Sequence, residues 1–163
     1  MAYLCRNNII EYVCTEDSDL IAYGCKKIIY KLNFKTGTCK IITSDTIFND
    51  EKSPFFNWEY SQFLHFCILS GCDFFKAPKI GPKSAYKLLD IYKSCYEIPN
   101  SNIDIAHFKK ALKIFTSQIV YCPISFKQIT LDNTPPHEND IYSEITANLT
   151  VKAYIDPNTL LPF

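Results

Sequence analysis

The spacing of apolar residues changes near residue 57, and this change restricts the possible folds more than any other feature of the sequence. Up to residue 43, short β-branched and aromatic runs alternate with polar turns, a pattern typical of buried strands. Between residues 58 and 120, apolar residues recur at helical spacing. The order predicts an α/β fold in which a sheet precedes a helical region.

Three strands are predicted in the first part of the chain. They span residues 9–14, 27–32 and 39–43, and the Lys35-Thr36-Gly37 turn joins the second to the third as a hairpin. Residues 1–6 are interpreted as the end of a helix, and residues 45–57 carry few periodic signals.

Helices are predicted in the second part of the chain, at residues 58–69, 82–92 and 103–120. Gly71 follows the first where a helix commonly stops, and Pro82 suits the first turn of the second. After a polar, proline-bearing loop, residues 141–149 are predicted to form a short closing helix.

Composition limits the classes of protein that fit. With 163 residues and 47% hydrophobic content the chain is long enough for one compact domain. It has 17 basic and 17 acidic residues, so any nucleic-acid contact has to come from a local cluster of charge. The eight cysteines contain no CxxC pair, so we expect reduced thiols in an intracellular protein and no structural zinc. No apolar run has the length of a membrane span, and we expect no membrane partner.

Acidic residues follow the first predicted strand at Asp17 and Asp19. If the extended geometry persists, both carboxylates project to the same side. Carboxylate oxygens at the carboxyl end of a strand suit Mg²⁺ or Mn²⁺. A solvated acidic turn is the alternative interpretation.

Asp73 lies among apolar residues just after a predicted helix. Because an unpaired buried carboxylate is costly, this residue needs a partner. A cation shared with Asp17 and Asp19 is one candidate, and a helix cap or an ion pair with Lys76 or Lys79 is the other.

A basic turn precedes the second predicted helix. Its backbone N–H groups and nearby lysines predict a site for phosphate oxygens that carries no base specificity. A solvated amphipathic helix with ordinary surface lysines is the alternative. The candidate DNA-binding residues are Lys76, Lys79, Ile80, Gly81, Lys83, Ser84 and Lys87.

Three motifs follow one another in a characteristic order: TEDSDL at 15–20 with GCKK at 24–27, CILSGCDF at 67–74, and IGPKSA at 80–85. They resemble the family of 5′ nucleases that includes exonuclease 1, flap endonuclease and the xeroderma pigmentosum group G nuclease. The resemblance is strong over residues 3–93, and GCKK and SGCD favour the exonuclease 1 branch.

The resemblance implies a two-metal nuclease that uses Mg²⁺, or Mn²⁺, in DNA repair. Asp17, Asp19 and Asp73 would be catalytic and would hold the second metal, and IGPKSA would belong to a helix-hairpin-helix that tracks duplex DNA. It also implies a K⁺ or Na⁺ ion at the hairpin, mismatch-repair proteins as partners and a location in the nucleus.

The implied fold is the sheet edge of a PIN-like or resolvase-like 5′ nuclease, followed by a helix-hairpin-helix region. Residues 1–57 would form the I region, residues 58–125 the helical region, and residues 126–163 a loop and short helix packing on the core.

Two departures from the family pattern stand out. The stretch from Asp73 to Ile80 is one residue shorter than in the family, and Lys79 replaces a glycine. The family's other acidic ligands lie upstream of the stretch that matches Ala2–Leu4. The chain alone is therefore expected to bind duplex DNA without cleaving it. It would be either the C-terminal half of such a nuclease or a catalytically dead binding module.

Overall fold

A three-stranded sheet forms the N-terminal part of the protein. The computed structural model describes residues 1–99 and 102–133. Strand β1 pairs in parallel with β2, and β2 pairs antiparallel with β3. The elements of this part are α1 (Ala2–Arg6), β1 (Val13–Cys14), α2 (Asp19–Ala22), β2 (Lys27–Asn33) and β3 (Thr38–Thr43).

The first strand is shorter than the sequence predicts. The amides of Ile9 and Ile10 both donate to the Leu4 carbonyl, so these residues wrap around the end of α1 instead of pairing in the sheet. The predicted hairpin is confirmed as β2 and β3. Ile28 of β2 is buried, whereas β3 has no buried residue and its Ile41 is exposed.

Helices make up most of the second part, which confirms the α/β expectation. The predicted 82–92 helix is confirmed with the same bounds, whereas the α3 helix lies in a segment with few sequence signals. A Thr43–Thr46 capping box begins that helix. The elements are α3 (Ser44–Phe48), α4 (Tyr60–Ser70), α5 (Pro82–Tyr92), a 3₁₀ turn (Cys95–Glu97) and α6 (Ile105–Ser117).

The third predicted helix was extended too far. Helix α6 ends at Ser117, and the chain continues as strand β4 (Ile119–Cys122), which pairs with β5 (Lys127–Thr130). Ile119, Val120 and Tyr121 favour extended structure because branched and aromatic side chains pack well across strands. The helix predicted at residues 141–149 lies outside the described residues.

Two hydrophobic clusters are joined through α2. One cluster lies among the helices and the other beneath the sheet. Ile21 and Tyr23, within and just after α2, pack against both clusters. The most buried side chains of the helical cluster are Ile68, Leu69, Leu89, Phe108 and Phe115. Those beneath the sheet include Cys5, Val13, Ile28 and Leu131.

Among the described residues, no helix has both the length and the apolar content needed to cross a membrane. All eight cysteines are free thiols.

A buried histidine joins α4 to the segment that follows α5. The Nδ1 atom of His65 accepts a hydrogen bond from the Cys95 amide at 3.2 Å, and its ring contacts Tyr96 and Phe108 edge to face. Burial lowers the pKa of His65 below its ordinary value of 6.5. The neutral imidazole is therefore the form that supports the fold.

We expect the free energy of unfolding to fall as the pH drops through about 6.5. Below that pH the unfolded chain binds a proton at His65 that the folded chain resists, so protonation favours unfolding. Urea unfolding of the native chain at pH 7.5 and pH 5.5 measures the effect. The His65→Gln variant should show less pH dependence than the native chain, whereas His107→Gln, at an exposed position, should keep it. Equal pH dependence in the native chain and His65→Gln would contradict this assignment.

Candidate metal centre and nucleic-acid interface

The first two candidate carboxylates follow β1 in a tight turn. The Thr15 amide donates to the Ile29 carbonyl, so pairing with β2 continues one residue beyond the strand. The Asp17 amide then donates to Thr15 Oγ1, and the Asp19 amide donates to Asp17 Oδ1, both at 2.9 Å. Ser18 has helical backbone angles, so the chain does not stay extended to Asp19 as the sequence interpretation supposed. Asp19 instead begins α2.

Helix α2 runs antiparallel to α4, and this direction places Asp19 near the end of α4. The Tyr60 hydroxyl, at the start of α4, donates to the carbonyl of Ala22, at the end of α2, at 2.6 Å. At the other end, burial raises the pKa values of Cys67 and Cys72, and the nearby Asp19 carboxylate adds to both rises. Gly24 allows this approach, since a Cβ there would lie 3.0 Å from the Tyr60 hydroxyl.

Asp73 lies in a closed turn just after α4. Cys72 and Phe75 exchange two backbone hydrogen bonds, of 2.9 and 3.2 Å, with Asp73 and Phe74 between them. Phe75 is buried, and Phe74 is 38% exposed. The Asp73 side chain is exposed, so the sequence-based expectation of an acid buried among apolar residues is wrong. Phe75, not the acid, enters the core.

The three aspartates act on one another electrostatically. The pKa of Asp19 is raised, first by partial burial and then by the charges of Asp17 and Asp73. Residues from two distant parts of the chain therefore lie within each other's electric field. Within residues 1–99 and 102–133, no lysine or arginine forms an ion pair with any of the three.

This arrangement fits a hard divalent cation in its chemistry. The available donors are carboxylate oxygens, and their mutual repulsion is the kind that a bound cation relieves. In the described parts of the chain, however, no group of three His, Cys, Asp or Glu residues has the geometry of a complete metal site. Such a cation would need water ligands or further ligands from outside these residues.

Three residues beside the carboxylates were not identified from sequence. Burial raises the pKa of the Cys67 thiol to about 12, and the Asp19 charge adds to the rise. Cys72 lies near both Asp19 and Asp73. Thr15 orients the Asp17 backbone through its hydroxyl. Only Thr15 had a recognisable signal, because a Thr two residues before an Asp commonly forms a side-chain turn.

The basic turn forms the segment between α4 and α5. Ile80 is half-buried against the helical core and anchors the turn, whereas Ser84, in the first turn of α5, is exposed. Lys93 lies 3.9 Å from Asp90, which reduces its contribution to the positive charge. The four candidate lysines are exposed and form no ion pair with any described residue; they are Lys76, Lys79, Lys83 and Lys87.

Gly81 leaves the start of α5 open. It occupies the N-cap position, where no side chain caps the helix, and a Cβ there would meet no atom within 4 Å. Its φ of −116° is one that any residue adopts. The advantage of glycine here is that it has no side chain to cap the helix, which leaves the N–H groups of the first turn of α5 uncapped.

Lys79 has a left-handed backbone conformation, with φ of 60°. This conformation costs a non-glycine residue about 1–2 kcal/mol. The residue that departs from the family's glycine pattern is thus held in a backbone geometry that suits glycine. Lys79 therefore adds a positive charge to the turn at the expense of local backbone strain.

The chain is similar in sequence to known proteins. Residues 1–73 match the model of the XPG I-region. Exodeoxyribonuclease 1 of Saccharomyces cerevisiae is 30% identical over 158 residues, covering 88% of this chain and 22% of that protein. Exonuclease 1 of Xenopus laevis is 32% identical over 169 residues, covering 88% and 21%. The chain thus spans about a fifth of these relatives.

The fold is also similar to a solved structure, the flap endonuclease-1 from Methanococcus jannaschii. The TM-score is 0.55 at 17% identity, with 70% of this chain and 34% of that chain covered. This similarity confirms the expected architecture of a 5′ nuclease core.

We expect Lys79→Gly to be more stable than Lys79→Ala by about 0.5–1 kcal/mol, because glycine relieves the left-handed strain but loses more entropy on folding. The two variants lose the same charge, so their difference isolates the backbone. At Lys87, inside α5, the order should reverse, with glycine less stable than alanine by about 1 kcal/mol. Urea unfolding of the four variants measures both differences. The same order at both positions would contradict the role of the turn.

Proposed function

Because the chain belongs to the XPG family of nucleases, we propose that it contributes the second-metal ligands and a duplex-binding hairpin to a structure-specific 5′ nuclease. The complete enzyme hydrolyses DNA phosphodiesters, as a 5′–3′ exonuclease or a 5′-flap endonuclease. In this proposal Asp17, Asp19 and Asp73 bind Mg²⁺, with Mn²⁺ as a substitute.

One observation carries the proposal for the metal site. The charges of Asp17 and Asp73 both raise the pKa of Asp19, although Asp73 is far from the other two in sequence. Asp19 is repelled by the charges of both other carboxylates, and none of the three forms an ion pair with a basic residue in the described parts of the chain. A divalent cation bound there would supply charge for water activation and for stabilising the leaving oxygen.

The chain's own residues hold the carboxylates that produce this repulsion. The Asp19 amide holds one carboxylate oxygen of Asp17, which fixes the direction of its side chain. The closed turn at residues 72–75 limits the positions of Asp73. The Asp17 carboxylate therefore has less side-chain entropy to lose on binding a cation, whereas the turn restricts only the backbone of Asp73.

Exposed cations and an open helix start support duplex binding. Lys76, Lys79, Lys83 and Lys87 are free to contact phosphates, and Gly81 leaves the first amides of α5 accessible. Phosphate contacts of this kind fix position on a duplex but do not read its sequence. The proposed partner is therefore double-stranded DNA with a 5′ end or flap, bound through its backbone.

Further parts of the proposal follow from the family. They are a role in DNA repair within the nucleus, mismatch-repair proteins as partners, and a K⁺ or Na⁺ ion held by hairpin carbonyl oxygens. Each remains a prediction.

An alternative is a catalytically dead module that binds DNA through the helix-hairpin-helix alone. The observation that favours it is the lack, among the described residues, of any three-residue group with metal-site geometry. Metal binding separates the two proposals, because the nuclease needs it and the dead module does not.

We expect the purified chain to bind Mn²⁺ and Asp73→Asn to weaken that binding about tenfold or more, since one carboxylate ligand is lost. Electron paramagnetic resonance of free Mn²⁺ during titration gives the dissociation constant. Asp90→Asn is the matched control, because Asp90 is an exposed aspartate on α5. Its affinity should equal that of the native chain. Equal affinity in all three proteins would remove Asp73 from the proposed metal site.

We expect Lys83→Ala/Lys87→Ala to reduce the slope of log K against log salt for duplex binding by about 2, since each lost phosphate contact releases about one counterion fewer. Fluorescence anisotropy of a labelled duplex at several salt concentrations measures the slope. The control is Lys35→Ala/Lys40→Ala, which removes two exposed lysines from the β2–β3 hairpin. An equal loss of slope in both double variants would show that overall charge accounts for binding. The helix-hairpin-helix at residues 80–85 would then have no special role.

A further inference from the structure

A buried aromatic residue of α6 contacts both acid-bearing segments. Phe115 is 1% exposed and lies on the α6 face that enters the helical core. Its ring centroid is 4.7 Å from that of Tyr23 and 5.9 Å from that of Phe74. Tyr23 follows α2 directly, and Phe74 follows Asp73 directly.

The contact with Tyr23 reaches Asp19 through a single backbone hydrogen bond. The Tyr23 amide donates to the Asp19 carbonyl at 2.8 Å and closes the only full turn of α2. A displacement of Tyr23 is therefore transmitted to Asp19, because so short a helix moves as a unit.

The contact with Phe74 reaches Asp73 through the closed turn. The two hydrogen bonds between Cys72 and Phe75 hold residues 73 and 74 together. Phe75 packs on the same helix, edge to face with Phe108 at 5.5 Å. Helix α6 thus contacts the turn at two adjacent residues, Phe74 and Phe75. The ring that contacts Phe74 is that of Phe115, which also contacts Tyr23.

We propose that Phe115 is a positioning residue that sets the separation between the Asp19 and Asp73 carboxylates. The inference rests on the proposed metal site, and it assigns the geometry of that site to a side chain that carries no ligand atom. A ring between two segments acts as a spacer, because close-packed interiors transmit the loss of even one methylene. The separation of the two acids then depends on the volume at position 115.

The test uses Phe115→Leu and Phe115→Met in the full chain. Leucine is shorter than phenylalanine and leaves part of the gap empty, whereas methionine fills irregular space and keeps favourable contact with aromatic rings. We expect Phe115→Leu to raise the Mn²⁺ dissociation constant about tenfold, in the range seen when support for metal ligands is lost. Phe115→Met should stay within about twofold of the native value.

Phe63→Leu is the matched control. Phe63 lies on α4, is buried, and has ring contacts with Phe48, Phe55 and Phe66, none of which belongs to α2 or to the turn at residues 72–75. Both leucine variants should lower the melting temperature to a similar extent. Only Phe115→Leu should shift the Asp19 amide signal in metal-free ¹H–¹⁵N spectra, a readout that general destabilisation does not produce.

The outcomes distinguish this inference from the proposed function. If the native chain binds no Mn²⁺, the metal site is wrong and the role of Phe115 falls with it. If the native chain binds Mn²⁺ and Phe115→Leu binds it equally well, only the positioning role is overturned. Equal weakening by Phe63→Leu and Phe115→Leu would also overturn it, since the effect would then reflect stability alone.

Discussion

The hydrogen bond from the Tyr60 hydroxyl to the Ala22 carbonyl determines how the sheet meets the helices. It joins the end of α2 to the start of α4, and with Asp19 lying near Cys67 and Cys72 at the other end, the two helices are antiparallel; Gly24 supplies the space that the contact needs. Burial raises the pKa of Tyr60 to about 12, so the hydroxyl keeps its proton and its ability to donate well into the alkaline range. Because α2 runs in this direction, Asp19 lies at the end of α4 from which Asp73 follows.

The candidate site combines a rigid interior with an unrelieved surface charge. Phe115 and Phe75 are buried in the helical core, whereas Asp17 and Asp73, at the rim of that core, are exposed. Like charges held close together oppose folding, and here the packing of the core beneath the site offsets their repulsion. The strained backbone at Lys79 is a second local cost, next to the proposed phosphate contacts. The charge repulsion and the backbone strain both lie at positions where a bound ligand would offset them.

Local signals predicted the elements that depend on neighbouring residues. Helix α5 was placed with its observed bounds because Gly81 and Pro82 mark its start within the sequence itself. The end of α6 was missed because Ile119 continues the helical spacing, and only pairing with β5 reveals a strand. The exposure of Asp73 was also missed, since the apolar residues around it bury themselves without burying the acid.

By itself, the sequence determined that a sheet precedes a helical region and identified the candidate acids and lysines, because those features depend on residue type and on spacing along the chain. Only the tertiary structure decided that Asp19 and Asp73 share one electric field and that Phe115 lies between their segments. The physical reason is that through-space distances depend on the direction in which one helix packs against another. No local pattern of residues records that direction.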